Sequence, residues 1–211
     1  MLRKHETHNT NPEVKLRLRR EAAERVDHGL AFDLFCGEGT YLREVYAPTF
    51  AQTVAVDRSA KSLSKIAPAS NLHLFKGDNA ILAPKLAVRY GLPDLIDLDA
   101  FGNSDAPLVA LRSALQRKER FAIIGTDGTH SARKAACAVP ECWGLRDPLW
   151  SRGSLSLEEW PVLIYRHIAY WFPAHAITWF EWAIPRGHSV VYYAAALKKT
   201  QISEQNTCWH R

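Results

Sequence analysis

The sequence predicts an α/β fold: a seven-stranded, mostly parallel sheet with helices on both faces and an antiparallel C-terminal hairpin. Three observations carry this. Short apolar runs alternate with helix-like stretches, the pattern of a parallel sheet whose crossovers are helices. Several of those runs end in an aspartate or a glycine turn, at Asp33, Asp57, Gly77-Asp78 and Asp99. The last two runs, 176–184 and 189–197, are joined only by Pro185-Arg-Gly-His188, which is too short for a crossover helix.

The elements follow in order. Asn11-Pro12-Glu13 starts a helix, with a capping Asn, Pro at the first helical position and an acid in the first turn. Val14, Leu18, Ala22 and Val26 give it an apolar stripe, and Gly29 is placed to end it. Lys15, Arg17, Arg19 and Arg20 crowd its first half, either as a solvated face or as a set of phosphate contacts. Strands are expected at 30–35, 53–57, 72–76, 94–99 and 121–126. Helices are expected near 40–47, 59–67, 79–90 and 105–118. A long helix over 157–172 presents Trp160, Leu163, Ile164, Ile168 and Trp171 on one face, before the two hairpin strands.

This gives a basic N-terminal extension and helix over 1–29, one α/β domain over 30–200 and a polar tail over 201–211. A chain of 211 residues with 47% hydrophobic content suits one domain with a sizeable core. No apolar run approaches the roughly 18–20 residues that span a bilayer. The first residues, Met1-Leu-Arg-Lys-His-Glu-Thr-His8, lack the apolar stretch of a signal peptide. A cytoplasmic protein without membrane attachment is therefore expected. Twenty-seven Lys and Arg against 22 acids leave a net charge of +5, which suits a polyanionic partner.

The four cysteines make no disulfide framework. Cys36 reads as a small buried filler. Cys137 and Cys142 are spaced like zinc ligands, but no second close pair follows, and only Cys208 and His210 remain to complete a site. Reduced thiols and no metal are expected.

The chemistry-bearing residues lie at strand ends. Asp33-Leu-Phe-Cys-Gly-Glu-Gly39 is an acid followed by a turn whose glycines let the backbone approach a ligand. Val54-Ala-Val-Asp57 brings a second acid where a ribose hydroxyl would lie. Asp78 and Asn79 follow the third strand, and Asp97-Leu-Asp-Ala-Phe-Gly102 the fourth.

The order of these motifs resembles a class I S-adenosylmethionine-dependent methyltransferase over roughly residues 30–197. The resemblance implies a Rossmann-like fold and S-adenosyl-L-methionine as cofactor. It places Asp33, Phe35, Gly37 and Gly39 at the cofactor's amino-acid part. Asp57, with Arg58, falls at its ribose, Asp78 and Asn79 at its adenine, and Asp99 also at the cofactor. Asp99-Ala-Phe-Gly102 is similar to the Asp-Pro-Phe-Gly of enzymes that methylate exocyclic amino groups, with Ala100 in place of the proline. The wider Asp97–Gly102 segment resembles the tRNA N2,N2-dimethylguanosine methyltransferases, as does Thr126-Asp127 after strand five. Asp99 is then the catalytic carboxylate that accepts an amino N–H, and Phe101 a stacking platform for a flipped base. Without that motif, Asp99 would read as a strand cap and Phe101 as core.

The stretch 127–154 interleaves Arg133, Lys134, Arg146 and Arg152 with Trp143 and Trp150. It reads as a substrate flap for phosphates and stacked bases, or as a partly helical cover for the cofactor mouth. The expected function is methyl transfer to a base amino nitrogen in nucleic acid, RNA slightly before DNA. The rivals are a DNA adenine or cytosine amino-methyltransferase, a small-molecule or protein methyltransferase, and a non-catalytic module of the same fold. A partner subunit or homodimer stays open.

Overall fold

The computed structural model describes residues 12–99, 105–128, 157–185 and 190–200. Helix α1 (Pro12–Ala23) precedes strand β1 (Leu30–Asp33). A π-helical turn (Leu42–Tyr46) then runs into the short helix α2 (Ala47–Thr49). Strand β2 (Gln52–Asp57), helix α3 (Ala60–Leu63), strand β3 (Leu72–Lys76) and helix α4 (Asn79–Tyr90) follow. Next come β4 (Leu95–Leu98), α5 (Asp105–Leu115) and β5 (Arg120–Asp127). The chain resumes with α6 (Trp160–Trp171) and the hairpin strands β6 (His175–Ala183) and β7 (Val191–Lys199).

The sheet has seven strands in the order β3-β2-β1-β4-β5-β7-β6. The first five are parallel, and β7 enters antiparallel between β5 and β6. Because side chains alternate across a strand, each strand supplies both faces. One face carries Phe32, Val54, Val56, Ile96, Leu98, Phe121 and Ile123 under α4, α5 and α6. The other carries Ala31, Ala55, Leu95, Ala122 and Ala194 under α1 and the π-helical turn. The alanines leave room for α1 to sit close over β5 and β7. Leu18 and Ala22 anchor it there, and fully burying one such leucine contributes about 1.5–3 kcal/mol.

The expected stripe on α6 is buried at all five positions, and Cys36 is buried as a filler. Among the boundaries that differ from expectation, three have a visible cause. Strand β1 stops at Asp33, because Leu34 and Phe35 already turn. Helix α3 covers only the first turn of its predicted span, capped by Ser59, whose hydroxyl accepts from the Ser62 N–H. Helix α1 ends at Ala23, and Gly29 does not cap it. Instead the Gly29 N–H donates to Asp94 Oδ2 at 3.0 Å. A Cβ there would stand 2.9 Å from the same oxygen, so the glycine serves a close approach. Asn11, Pro185-side residues 186–189 and the tail 201–211 lie outside the described residues, as do Cys137, Cys142, Cys208 and His210. No helix among the described residues is long and apolar enough to cross a membrane.

Candidate functional site

Parallel strands bring their C-terminal ends to one edge, so the sequence-marked acids meet there. At the β1 end the chain turns through Gly37 and Gly39, with φ of 53° and 77°. Only glycine adopts this region without strain. The Gly37 N–H donates to Asp57 Oδ2 at 2.9 Å, which ties the turn to the end of β2. The Ser59 N–H holds the other Asp57 oxygen at 2.7 Å. A Cβ on Gly37 would meet nothing within 4 Å, so its outer side is open space.

Asp78 caps α4, its Oδ1 accepting from the Ala80 and Ile81 N–H groups. The hydrogen bond from Ile81 and the neighbouring Arg58 guanidinium hold its carboxyl below the ordinary range. Asn79 is buried beside it. Its amide donates to the Leu34 carbonyl, and its Oδ1 is buried without a hydrogen-bond partner. Phe35 packs at the rim of the core, its N–H donating to Asp33 Oδ1 at 3.3 Å.

This half fits a nucleoside cofactor. It combines an open glycine turn, two carboxylates with acceptor capacity left at the ends of neighbouring strands, and an orphaned acceptor in Asn79. An unsatisfied buried acceptor costs about 1–3 kcal/mol unless something donates to it.

The other half is filled by the chain itself. Arg19 and Lys15, one turn apart on α1, both reach down to the end of β4. Arg19 Nε donates to Asp97 Oδ2 at 2.7 Å and its Nη2 to Asp97 Oδ1 at 3.1 Å. The Tyr46 hydroxyl donates to Asp97 Oδ2 at 2.5 Å, and the Asp99 N–H to Oδ1 at 3.1 Å. Burial raises the Asp97 carboxyl, yet in all four of these hydrogen bonds it is the acceptor, so the ionised form is the one they satisfy.

Asp99 receives Lys15 Nζ on both oxygens, at 2.7 and 2.8 Å. Arg19 Nη2 adds a bond at 2.8 Å, and the Thr126 hydroxyl donates to Oδ1. Burial pushes the Asp99 carboxyl up, but Arg19, Lys15 and these hydrogen bonds outweigh it and leave it below the ordinary range. Asp33, on the adjacent strand, makes no ion pair among the described residues, and the pull of the nearby Arg19 is outweighed. Burial pushes it well above the ordinary range, and the Asp97 charge adds to the push. Asp97 and Asp99 therefore stand as two carboxylates against the two cations Arg19 and Lys15.

The expected phosphate contacts on α1 divide. Arg19 is 2% exposed and spent on carboxylates, with the Tyr41 ring 3.7 Å from its guanidinium carbon, so its reading as a phosphate contact is corrected. The cause is the i, i+4 spacing that sets it on the same inward face as Lys15. Lys15 lies on Asp99 rather than in solvent, its side chain 12% exposed. Arg17 pairs with Glu21 and Glu181 on the outside, and Arg20 is exposed. Phe101, Arg133, Lys134 and Trp143 lie outside the described residues, as does the flap from residue 129 onward.

Sequence reasoning missed Asp97, Tyr46 and the use made of Lys15 and Arg19. Two signals were present. Asp97 and Asp99 stand two apart at a strand end and so share a face, and Lys15 and Arg19 share a helical face. That the faces meet is a tertiary fact. Among the described residues no group of three or more His, Cys, Asp or Glu could hold a metal ion.

No protein-family model matches the chain, and no curated protein matches it. Solved structures do. The chain is similar to a Streptococcus thermophilus protein that carries the name hemolysin, with a TM-score of 0.60 and 16% identity over 94% of this chain and 70% of that one. It is similar to the N-methyltransferase NodS from Bradyrhizobium japonicum WM9, with a TM-score of 0.56 and 9% identity over 90% and 96% of the two chains. NodS has also been solved with S-adenosyl-L-homocysteine. A Pyrococcus horikoshii protein named as an RNA methyltransferase aligns with a TM-score of 0.53 and 12% identity over 93% and 88%. Together with the strand order and the terminal hairpin, these likenesses establish that the chain has the Rossmann-like fold of class I methyltransferases.

Proposed function

We propose that this protein is an S-adenosylmethionine-dependent methyltransferase acting on an exocyclic amino nitrogen of a base in nucleic acid, RNA slightly before DNA. The observation that carries it is the juxtaposition at one sheet edge of the open Gly37 turn, the acids Asp57 and Asp78, and the ionised Asp99 at the end of β4. Gly37, Gly39 and Asp33 would hold the cofactor's amino-acid part, Asp57 its ribose, and Asp78 with Asn79 its adenine. The bound cofactor supplies an electrophilic methyl group on a sulfonium.

The chain's own groups do the rest. A base amino group is a weak nucleophile because its lone pair is shared with the ring. Asp99 accepts one of its N–H bonds and turns the lone pair toward the methyl carbon. A methyl group delivered there by the bound cofactor would leave the amino nitrogen with a proton to give up. Asp99 orients the amino group and accepts the proton it gives up as charge develops on the nitrogen. Phe101 stacks on the extruded base. The likeness of Asp97–Gly102 to the tRNA N2,N2-dimethylguanosine enzymes supports RNA, and the net charge of +5 suits either polyanion.

The filled carboxylate of Asp99 favours one second reading, a non-catalytic module in which Asp99 merely anchors α1. A labelled-methyl assay on unmodified tRNA, ribosomal RNA, double-stranded DNA and single-stranded DNA separates the two. The enzyme reading expects label in one pool. It also expects Asp99→Asn to lose about 10²- to 10⁴-fold in rate while cofactor affinity holds. Cofactor binding with no label in any pool supports the module.

A further inference from the structure

Asp99 has no acceptor capacity left for a substrate. An ionised carboxylate offers about four lone-pair sites. Here Lys15 takes one on each oxygen, Arg19 one and Thr126 one. For an amino N–H to reach Asp99, one of these must leave.

Two of them are fixed. Arg19 is buried, bidentate on Asp97 and stacked on Tyr41. Thr126 belongs to β5, whose backbone is paired on both sides. Lys15 is the exception. It sits in the first turn of α1, at the more exposed end of the cluster, on a flexible four-carbon stem. It contributes two of the four bonds, so its departure alone frees both oxygens. Its ammonium also lies 4.7 Å from the centre of the Tyr192 ring.

We propose that Lys15 holds the place of the target amine on Asp99, and that a substrate enters by ion exchange, Lys15 leaving Asp99 for a phosphate that the substrate brings with it. This rests on the methyltransferase reading and deepens it to a substrate class. A neutral amine would strand the Lys15 ammonium without a counter-charge, whereas a nucleotide-bearing substrate supplies one beside the base. After the exchange the charged groups facing Asp99 are Arg19 from α1 and Asp97 from β4, with the Asp33 carboxyl on β1, so two carboxylates share one cation and the freed Asp99 oxygens are left for the amino N–H groups to meet. Lys15 is then a specificity-determining residue whose free-state position excludes uncharged amines.

The experiment has two arms on the full chain. In the first, the Asp99 carboxyl carbon is titrated by NMR in ¹³C-aspartate-labelled protein, with and without a mixed-sequence RNA hexanucleotide. The expected result is an upward move of the Asp99 midpoint in wild type when the hexanucleotide is added, toward the midpoint of Lys15→Met, and no further move in that variant. A wild-type midpoint that stays in place overturns the exchange, and this measurement needs no variant to fold.

In the second arm, methyl transfer to polynucleotide pools is compared with transfer to a mixture of neutral nucleosides. Lys15→Met is expected to narrow the polynucleotide preference by about tenfold or more through gain on nucleosides, and Lys15→Arg to keep the preference. An unchanged ratio in Lys15→Met overturns the proposal. If no sample transfers methyl, the methyltransferase reading fails by itself, and the carboxyl titration still decides the exchange.

Discussion

The two halves of the sheet edge solve opposite problems with the same residue type. On the β2–β3 side, Asp57 and Asp78 are served by backbone N–H groups, and the cation paired with Asp78, Arg58, lies on the surface with 75% of its side chain exposed. On the β4–β5 side, Asp97 and Asp99 are served by a buried arginine and a nearly buried lysine from another element. Backbone donors orient a carboxylate without using up its charge. Side-chain cations neutralise it. The first half therefore remains a place for a ligand, whereas the second is a closed ionic core that a substrate must open.

The comparison breaks most visibly at Arg19. Arg19→Met leaves Asp97 buried with only neutral donors, and losing one partner of a buried pair costs about 3–5 kcal/mol. Chemical denaturation should show that loss. The double variant Arg19→Met with Asp97→Leu should recover most of it, because a well-packed apolar pair removes the stranded charge. A mild effect of Arg19→Met alone would mean that α1 is not locked in place by this pair.

Asp57→Ala probes the opposite half. It removes the acceptor for the Gly37 and Ser59 N–H groups, so the turn loosens. Cofactor affinity, measured by equilibrium dialysis with labelled S-adenosylmethionine, should fall about tenfold or more, while stability drops by only about 1–2 kcal/mol. Unchanged affinity would remove Asp57 from the cofactor site.

Asp33 gives the smallest and most pH-specific effect. Its folded carboxyl is raised by burial, so the folded state holds a proton that the unfolded chain releases above about pH 4. Native stability is thus reduced progressively as pH rises from there toward the folded value. Asp33→Asn, which cannot ionise, should be more stable than wild type at neutral pH, and the two should converge as pH falls to about 4. Urea midpoints across that range measure it. The opposite trend would mean that Asp33 is ionised and paired.

Much of the architecture was readable from the chain. The alternation of apolar runs with helical stretches gave all seven strands, and the short link 185–188 marked the hairpin. Local signals of this kind depend on neighbours in sequence, such as Pro12 opening α1 or the stripe on α6. They failed where a distant group intervened, as at Gly29, whose glycine answers to Asp94 rather than to α1. The same holds at the site. Asp33, Gly37, Gly39, Asp57, Asp78 and Asp99 were marked by their places at strand ends, and those ends do converge.

What the sequence by itself determined is therefore the sheet, its crossovers and the row of acids along one edge, because each follows from period, turn chemistry and strand ends. Only the tertiary structure decided that Lys15 and Arg19 face inward. Their orientation depends on α1 packing its Leu18–Ala22 side onto the small alanines of the sheet. That packing sets two cations over two carboxylates about eighty positions away. No local pattern distinguishes a basic helix face that meets water from one that meets buried acids, since the difference lies in the surface it lands on.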